Sequence, residues 1–141
     1  MDNTEFKKIV QGSTSKYGFM YCKKNYYCET DDVIVVVNLQ KSNYSNRYYI
    51  NYGFYVKEIH NELQYPRLNE CDVTGRFINR TSKDAYQLDI INADELVAEL
   101  EKNINNYIVP VINDGINKYF VLFPNAICRA TLNLKEFLKV N

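Results

Sequence analysis

Asn51 in "YYINYGFYV" and Arg76 in "CDVTGRFIN" interrupt largely apolar or aromatic stretches with an amide and a guanidinium. Such groups demand hydrogen-bond partners when buried, so both are candidates for recognition by hydrogen bonding. A strand period of two places Tyr49, Asn51, Gly53 and Tyr55 on one face and Tyr48, Ile50, Tyr52, Phe54 and Val56 on the other. The second face is core. The first is mixed, and Tyr49 and Tyr55 join Asn51 and Arg76 as candidate binding residues. Gly53 leaves a gap there that suits a bulge, a packed helix or loop, or a ligand close to the backbone. For Arg76 the simpler expectation is structural: a pair with nearby Asp72 or with a backbone carbonyl.

Covalent and acid–base chemistry find less support. His60, the single histidine, sits in the polar run "KEIHNEL" with no neighbouring thiol and no G-x-S-x-G elbow, which reads as a solvated side chain. Asp31/Asp32 and Asp94/Glu95 fall at a turn and at a helix N-terminus, where carboxylates serve local structure. Cys22, Cys28, Cys71 and Cys128 form no C-x-x-C pair, so reduced thiols are expected and no metal site. No phosphate loop or dinucleotide fingerprint is present. No catalytic residue, metal ligand or cofactor is therefore assigned, and the balance leans away from an enzyme.

Charge narrows the partners. Seventeen Lys and Arg balance 17 Asp and Glu, a formal net charge of +0, so no global field draws the chain to nucleic acid or acidic membrane. "NYGFYV" resembles an RNA-stacking strand in its aromatic alternation, but the basic residue and glycine ahead of the rings are missing. No apolar run approaches the roughly 18–20 residues of a membrane span, and "MDNTEFKKIV" lacks the order of a signal peptide. The expectation is a cytoplasmic protein without nucleic-acid or membrane partners.

The elements that must position these residues read as an α+β fold. At 141 residues, with no repeat or Pro/Gly/Ser linker, one domain spanning residues 1–141 is expected. "NTEFKKIVQGS" places Phe6, Ile9 and Val10 on one helical side, with Asn3 or Thr4 as cap and Gly12 at the end. "NYYCE", "TDD" and "VIVVVNLQ" read as strand, turn and strand, the second apolar on both faces and so central and covered twice. "SNYSNR" turns the chain into the strand from Arg47 to Val56. "CDVTGRFIN" and "DAYQLDI" add shorter strands. Asn92 with Glu95 caps a helix through Leu96, Leu100, Ile104, Tyr107 and Ile108, which Pro110 kinks or restarts until "NDG". In the tail "KYFVLFP" reads as strand or buried turn and "LNLKEFLKV" as helix. The expected architecture is an antiparallel sheet of about four to five strands, with an N-terminal helix and C-terminal helices packed on it.

The order of "GFMYCKKNYYCETDDVIVVVNLQKS", "YYINYGFYV", "CDVTGRF" and "DAYQLD", followed by a helix with an internal proline, resembles the bacterial domain of unknown function 4304 family up to about Asp114. "NLQKS", the Asn51-x-Gly53 pair and Arg76 carry most of that likeness. The resemblance implies a small cytoplasmic α+β bacterial protein and brings no activity, cofactor or catalytic residue. Two functions stand open. The first is a non-catalytic protein-binding module, immunity-like or regulatory, using the mixed sheet face or the helix-covered edge. The second is a small-molecule binder or enzyme with a pocket between the sheet and the C-terminal helices, lined by Asn51, Arg76 and tyrosine hydroxyls.

Overall fold

The computed structural model describes residues 1–61, 64–80 and 84–140. Its centre is the hairpin of β3 (Val33–Lys41) and β4 (Arg47–Val56), joined through the expected Ser/Asn turn, with Val35 opposite Phe54 and Asn38 opposite Asn51. Valine and isoleucine on both faces of β3 suit a strand covered twice. β2 (Asn25–Glu29) and then β1 (Met20–Cys22) extend the sheet on one side. On the other side β5 (Val73–Arg76) and the two-residue β6 (Tyr86–Gln87) share β4's outer edge, β5 opposite residues 51–54 and β6 opposite residues 47–48. All pairings are antiparallel.

β1 had no signal in the sequence. Its two-residue hairpin is closed by Lys23 and Lys24 at φ 49° and 68°, left-handed positions more often filled by Gly or Asn. Helix α1 (Asn3–Ser15) also departs from expectation at both ends. Asp2, not Asn3 or Thr4, is the cap and accepts from the Glu5 amide, and Gly12 lies inside the helix. Helix α2 (Ala93–Asn103) starts as expected, Asn92 accepting from the Glu95 amide.

Between α2 and α3 (Val109–Asp114) the chain makes a π-helical turn, Ile104–Ile108, with the Val109 amide donating to the Ile104 carbonyl. Pro110 explains it. A proline ring collides with the carbonyl four residues back and supplies no N–H, and a widened turn relieves both problems. Gly115, at φ 88°, ends α3. "KYFVLFP" is neither strand nor turn: it belongs largely to α4 (Ile116–Leu122), which buries Ile116 and Tyr119 at helical spacing. A 3₁₀ turn over Pro124–Arg129 leads to α5 (Leu132–Val140).

The helices cover one sheet face. Phe6 stacks on Tyr48 at 4.5 Å, and Tyr52, Phe54 and Phe77 join residues of α2 to α5 in the main core. The opposite face is covered by the connection between β4 and β5. There Tyr27, Ile34, Val36, Tyr55 and Cys71 form a smaller apolar cluster. Gly53 is required beneath it, since a β-carbon would lie 2.7 Å from Cys71 Sγ. The gap is filled by a packed loop. Among the described residues no helix is long and apolar enough to cross a membrane.

Candidate functional site

β5 is the short edge of the sheet, and its pairing with β4 sorts the residues of interest into two groups. Asn51 lies opposite Arg76 on the face away from the helices, and Tyr52 opposite Gly75 on the face toward them. Gly75 is needed because a side chain there would collide with the Tyr52 ring, which crosses above it toward the edge.

On the outer face the polar side chains form a rung across the strands. Arg76 Nε donates to Asn51 Oδ1 at 2.9 Å, Asn51 Nδ2 donates to Asn38 Oδ1 at 3.3 Å and Gln40 Oε1 at 3.1 Å, and Asn38 Nδ2 donates to Asn25 Oδ1 at 2.9 Å. Arg76 Nη2 also reaches Gln40, and Nη1 reaches the carboxylate of Asp84 at 3.4 Å. The guanidinium lies over the Tyr49 ring, 4.4 Å from its centroid. Arg76 is thus positioned by several acceptors and a ring, none of them Asp72.

Asp72 serves another junction. Its side chain is buried and accepts from the Val56 amide at 2.8 Å, while His60 Nε2 lies 2.8 and 2.9 Å from its two oxygens. Thr131, ahead of α5, donates its amide to the Asp72 carbonyl. His60 is therefore not a free solvated side chain. Its ring stacks on Tyr55 at 4.3 Å, and Tyr55 is buried under it rather than presented at the surface.

Around the outer edge of β5 lies a cleft of about 760 Å³, walled by Asn51, Tyr52, Thr74, Gly75 and Arg76 on the sheet side and by Tyr107, Tyr119, Leu122, Phe123, Asn125 and Arg129 from the C-terminal elements. The π-helical turn delivers Tyr107 to this wall, where it stacks on Tyr52 at 5.4 Å. Tyr52 and Tyr119 share a 2.8 Å hydroxyl–hydroxyl hydrogen bond. Burial, with the neighbouring Tyr119, holds the Tyr52 phenol far above its ordinary pKa, and the cation of Arg129 opposes this only in part. Burial likewise raises Tyr107. The phenols therefore remain protonated at neutral pH. Arg129 bridges the two walls, its Nε donating to the Thr74 carbonyl at 3.2 Å and its Nη2 to the Tyr119 hydroxyl at 3.3 Å.

Among the described residues Asp84 is the single carboxylate of this lining, and none of them is a histidine, cysteine, glutamate or lysine. Such a wall can donate hydrogen bonds, attract negative charge and stack against flat apolar groups. It offers no nucleophile with an adjacent base.

Over residues 14–114 the chain matches the family model described as domain of unknown function (DUF4304). It belongs to that family. Neither the curated proteins nor the solved structures give a match. Within the DUF4304 span lie Asn51, Tyr52, Arg76 and Tyr107. Tyr119, Phe123 and Arg129 lie beyond it, so the DUF4304 segment supplies the sheet wall and the π turn, and the following residues close the cleft.

Of the four candidate binding residues, the fold brings Asn51 and Arg76 to this cleft. Tyr49 lies beneath Arg76, and Tyr55 lies on the far side of Gly53 under His60. Arg129 was missed. "AICRAT" has no feature that distinguishes a binding arginine from a solvated one, and only the fold places it at Thr74.

Proposed function

We propose that this chain is a non-catalytic binding protein that holds a small ligand in the cleft between the β5 edge and the C-terminal helices. The observation that carries this reading is the convergence of Arg76, Arg129 and the Tyr52–Tyr119 hydroxyl pair on one concave space of about 760 Å³. Ligand sites are typically concavities of about 300–1,000 Å³, mostly apolar, with a few convergent polar groups. The cleft is also poorly suited to adding a peptide strand. Thr74, the edge residue beside it, already has its carbonyl bonded to Arg129, and the Asp72 carbonyl is bonded to the Thr131 amide. An edge blunted by its own chain favours a discrete ligand over strand pairing.

A second reading, a protein partner of the immunity-like or regulatory kind, draws support from α4. Val121 and Leu122 are exposed there, and Leu122 and Phe123 belong both to the cleft and to an adjoining depression of about 350 Å³ near Pro110. A partner seated on that rim would cover apolar surface beside the cleft. The four free thiols suit the reducing cytoplasm in which we place the protein.

A fragment screen read by backbone amide shifts tests the first reading. Binding fragments are expected to move Thr74, Gly75 and Asn125 together. Fragments that bind only elsewhere, or none that bind, would contradict it. Substituting exposed Asn125 with Trp should abolish those shifts while leaving the melting temperature near that of the unsubstituted protein.

A further inference from the structure

Two features of the cleft specify more than a concave space. The first is charge. Arg76 and Arg129 stand against Asp84, the single carboxylate of the cleft among the described residues, whose side chain is 60% exposed and meets Arg76 only at 3.4 Å. Arg129 spends Nε on Thr74 and one Nη2 proton on Tyr119; among the described residues its Nη1 makes no hydrogen bond. Those two bonds fix the guanidinium plane at the cleft and leave Nη1 with donors to offer. A charged N–H donor held in place in this way suits an oxyanion, which accepts charge-assisted hydrogen bonds.

The second feature is the ring wall. Tyr107 stacks on Tyr52 at 5.4 Å and packs against Phe123 at 5.1 Å, so one side of the space is lined by aromatic surface. Flat apolar bodies gain burial and ring contacts on such a surface. A free inorganic anion would use the arginines and leave the rings unused. A neutral ring would do the reverse.

Resting on the cleft reading above, we infer that the ligand is a small aromatic or similarly flat molecule carrying one oxyanion, its charge held by Arg129 with Arg76 nearby and its body against Tyr107. Carboxylate and phosphate share this chemistry.

The test titrates the full ¹⁵N-labelled chain with phenyl phosphate, benzoate, inorganic phosphate and the neutral benzyl alcohol. Phenyl phosphate or benzoate should shift Thr74, Gly75 and Asn125 saturably. The better of the two identifies the oxyanion, and inorganic phosphate and benzyl alcohol should each bind more weakly. Arg129→Gln should weaken the best anion by about tenfold or more, the worth of a lost charge-assisted hydrogen bond, and Arg129→Lys should restore part of that loss. Because Arg129 is exposed, a melt of each variant separates binding from folding. Benzyl alcohol binding the cleft as tightly as the anions, or Arg129→Gln binding them unchanged, would overturn the ligand class and leave the cleft reading standing. If no probe moves the cleft amides, the ligand class fails. If the broader fragment screen also leaves them unmoved, the cleft reading fails with it.

Discussion

Asn51 and Tyr52 are adjacent on β4 and end in different surroundings. Asn51 enters a rung in which Arg76, Gln40, Asn38 and Asn25 satisfy one another, with distances of 2.9 to 3.3 Å along it. Tyr52 lies at a cleft where, among the described residues, Arg129 Nη1 makes no hydrogen bond. A polar group that is buried and fully bonded contributes to a specified sheet register, whereas donors left at the mouth of a concave space are available to a ligand. The unusual-looking residue is thus mainly structural in its contacts. The ordinary core aromatic beside it, itself buried, lies next to the exposed donors of Arg129.

The largest expected effect comes from removing the ring itself. Tyr52→Ala would empty a buried site packed by Phe54, Phe77, Tyr107 and Tyr119 and should cost about 3–5 kcal/mol, enough to unfold a domain of ordinary stability. Chemical denaturation measures it. A melt like that of the unsubstituted protein would break the comparison at its base, because Tyr52 would then carry no packing.

Asp72→Ala comes next. It leaves the buried Val56 amide without its acceptor and separates His60 from its partner, with an expected loss of about 2–3 kcal/mol in the same measurement. Because the Thr131 hydroxyl, ahead of α5, also reaches the Asp72 carboxylate at 3.5 Å, increased proteolysis near the C-terminus should accompany the loss.

Alkaline pH sharpens the contrast on the outer face, where the connection packs Cys71 onto Gly53. Burial, with help from the Asp72 and Glu70 carboxylates, raises the Cys71 thiol from its ordinary 9.0 to about 12. Above pH 9 the unfolded chain therefore holds fewer protons at this site than the folded one. Stability from this group is full below about pH 9 and declines as pH rises toward about 12. Denaturation midpoints should fall across that window, and Cys71→Ser should flatten the fall. An unchanged slope would show that the connection covers this face loosely.

Much of the fold was legible because its signals are local. The run apolar on both faces over Val33–Leu39 and the alternation over Arg47–Val56 set the central hairpin and the burial of Tyr52 and Phe54. Asn92 and Glu95 marked the start of α2 within four residues. The β1 hairpin was silent because lysines, not glycines, take its left-handed positions. "KYFVLFP" favours strand by composition, and burial of Ile116 and Tyr119 against the core overrides that preference in α4. The candidate site was only half visible. Asn51, Arg76 and the use of tyrosine hydroxyls could be read from strand context, but the His60–Asp72 pair, the Arg76–Asp84 pair and the Arg129–Thr74 contact join residues 8 to 55 positions apart without a local pattern.

The smallest expected effects on stability give the sharpest test of function. Asn38→Ala removes a residue of the rung that touches Asn51 without itself lining the cleft, and should cost about 1 kcal/mol. Arg129→Gln removes an exposed side chain together with its bonds to Thr74 and Tyr119 and should likewise cost about 1 kcal/mol. Melting temperature and phenyl phosphate affinity, measured side by side for these two variants, address the central claim most directly. The expected pattern separates the two: with similarly small losses in melting temperature, Asn38→Ala binds as before, while Arg129→Gln binds about tenfold or more weakly. Loss of affinity in Asn38→Ala with full affinity in Arg129→Gln would contradict the account and move the binding surface to the rung.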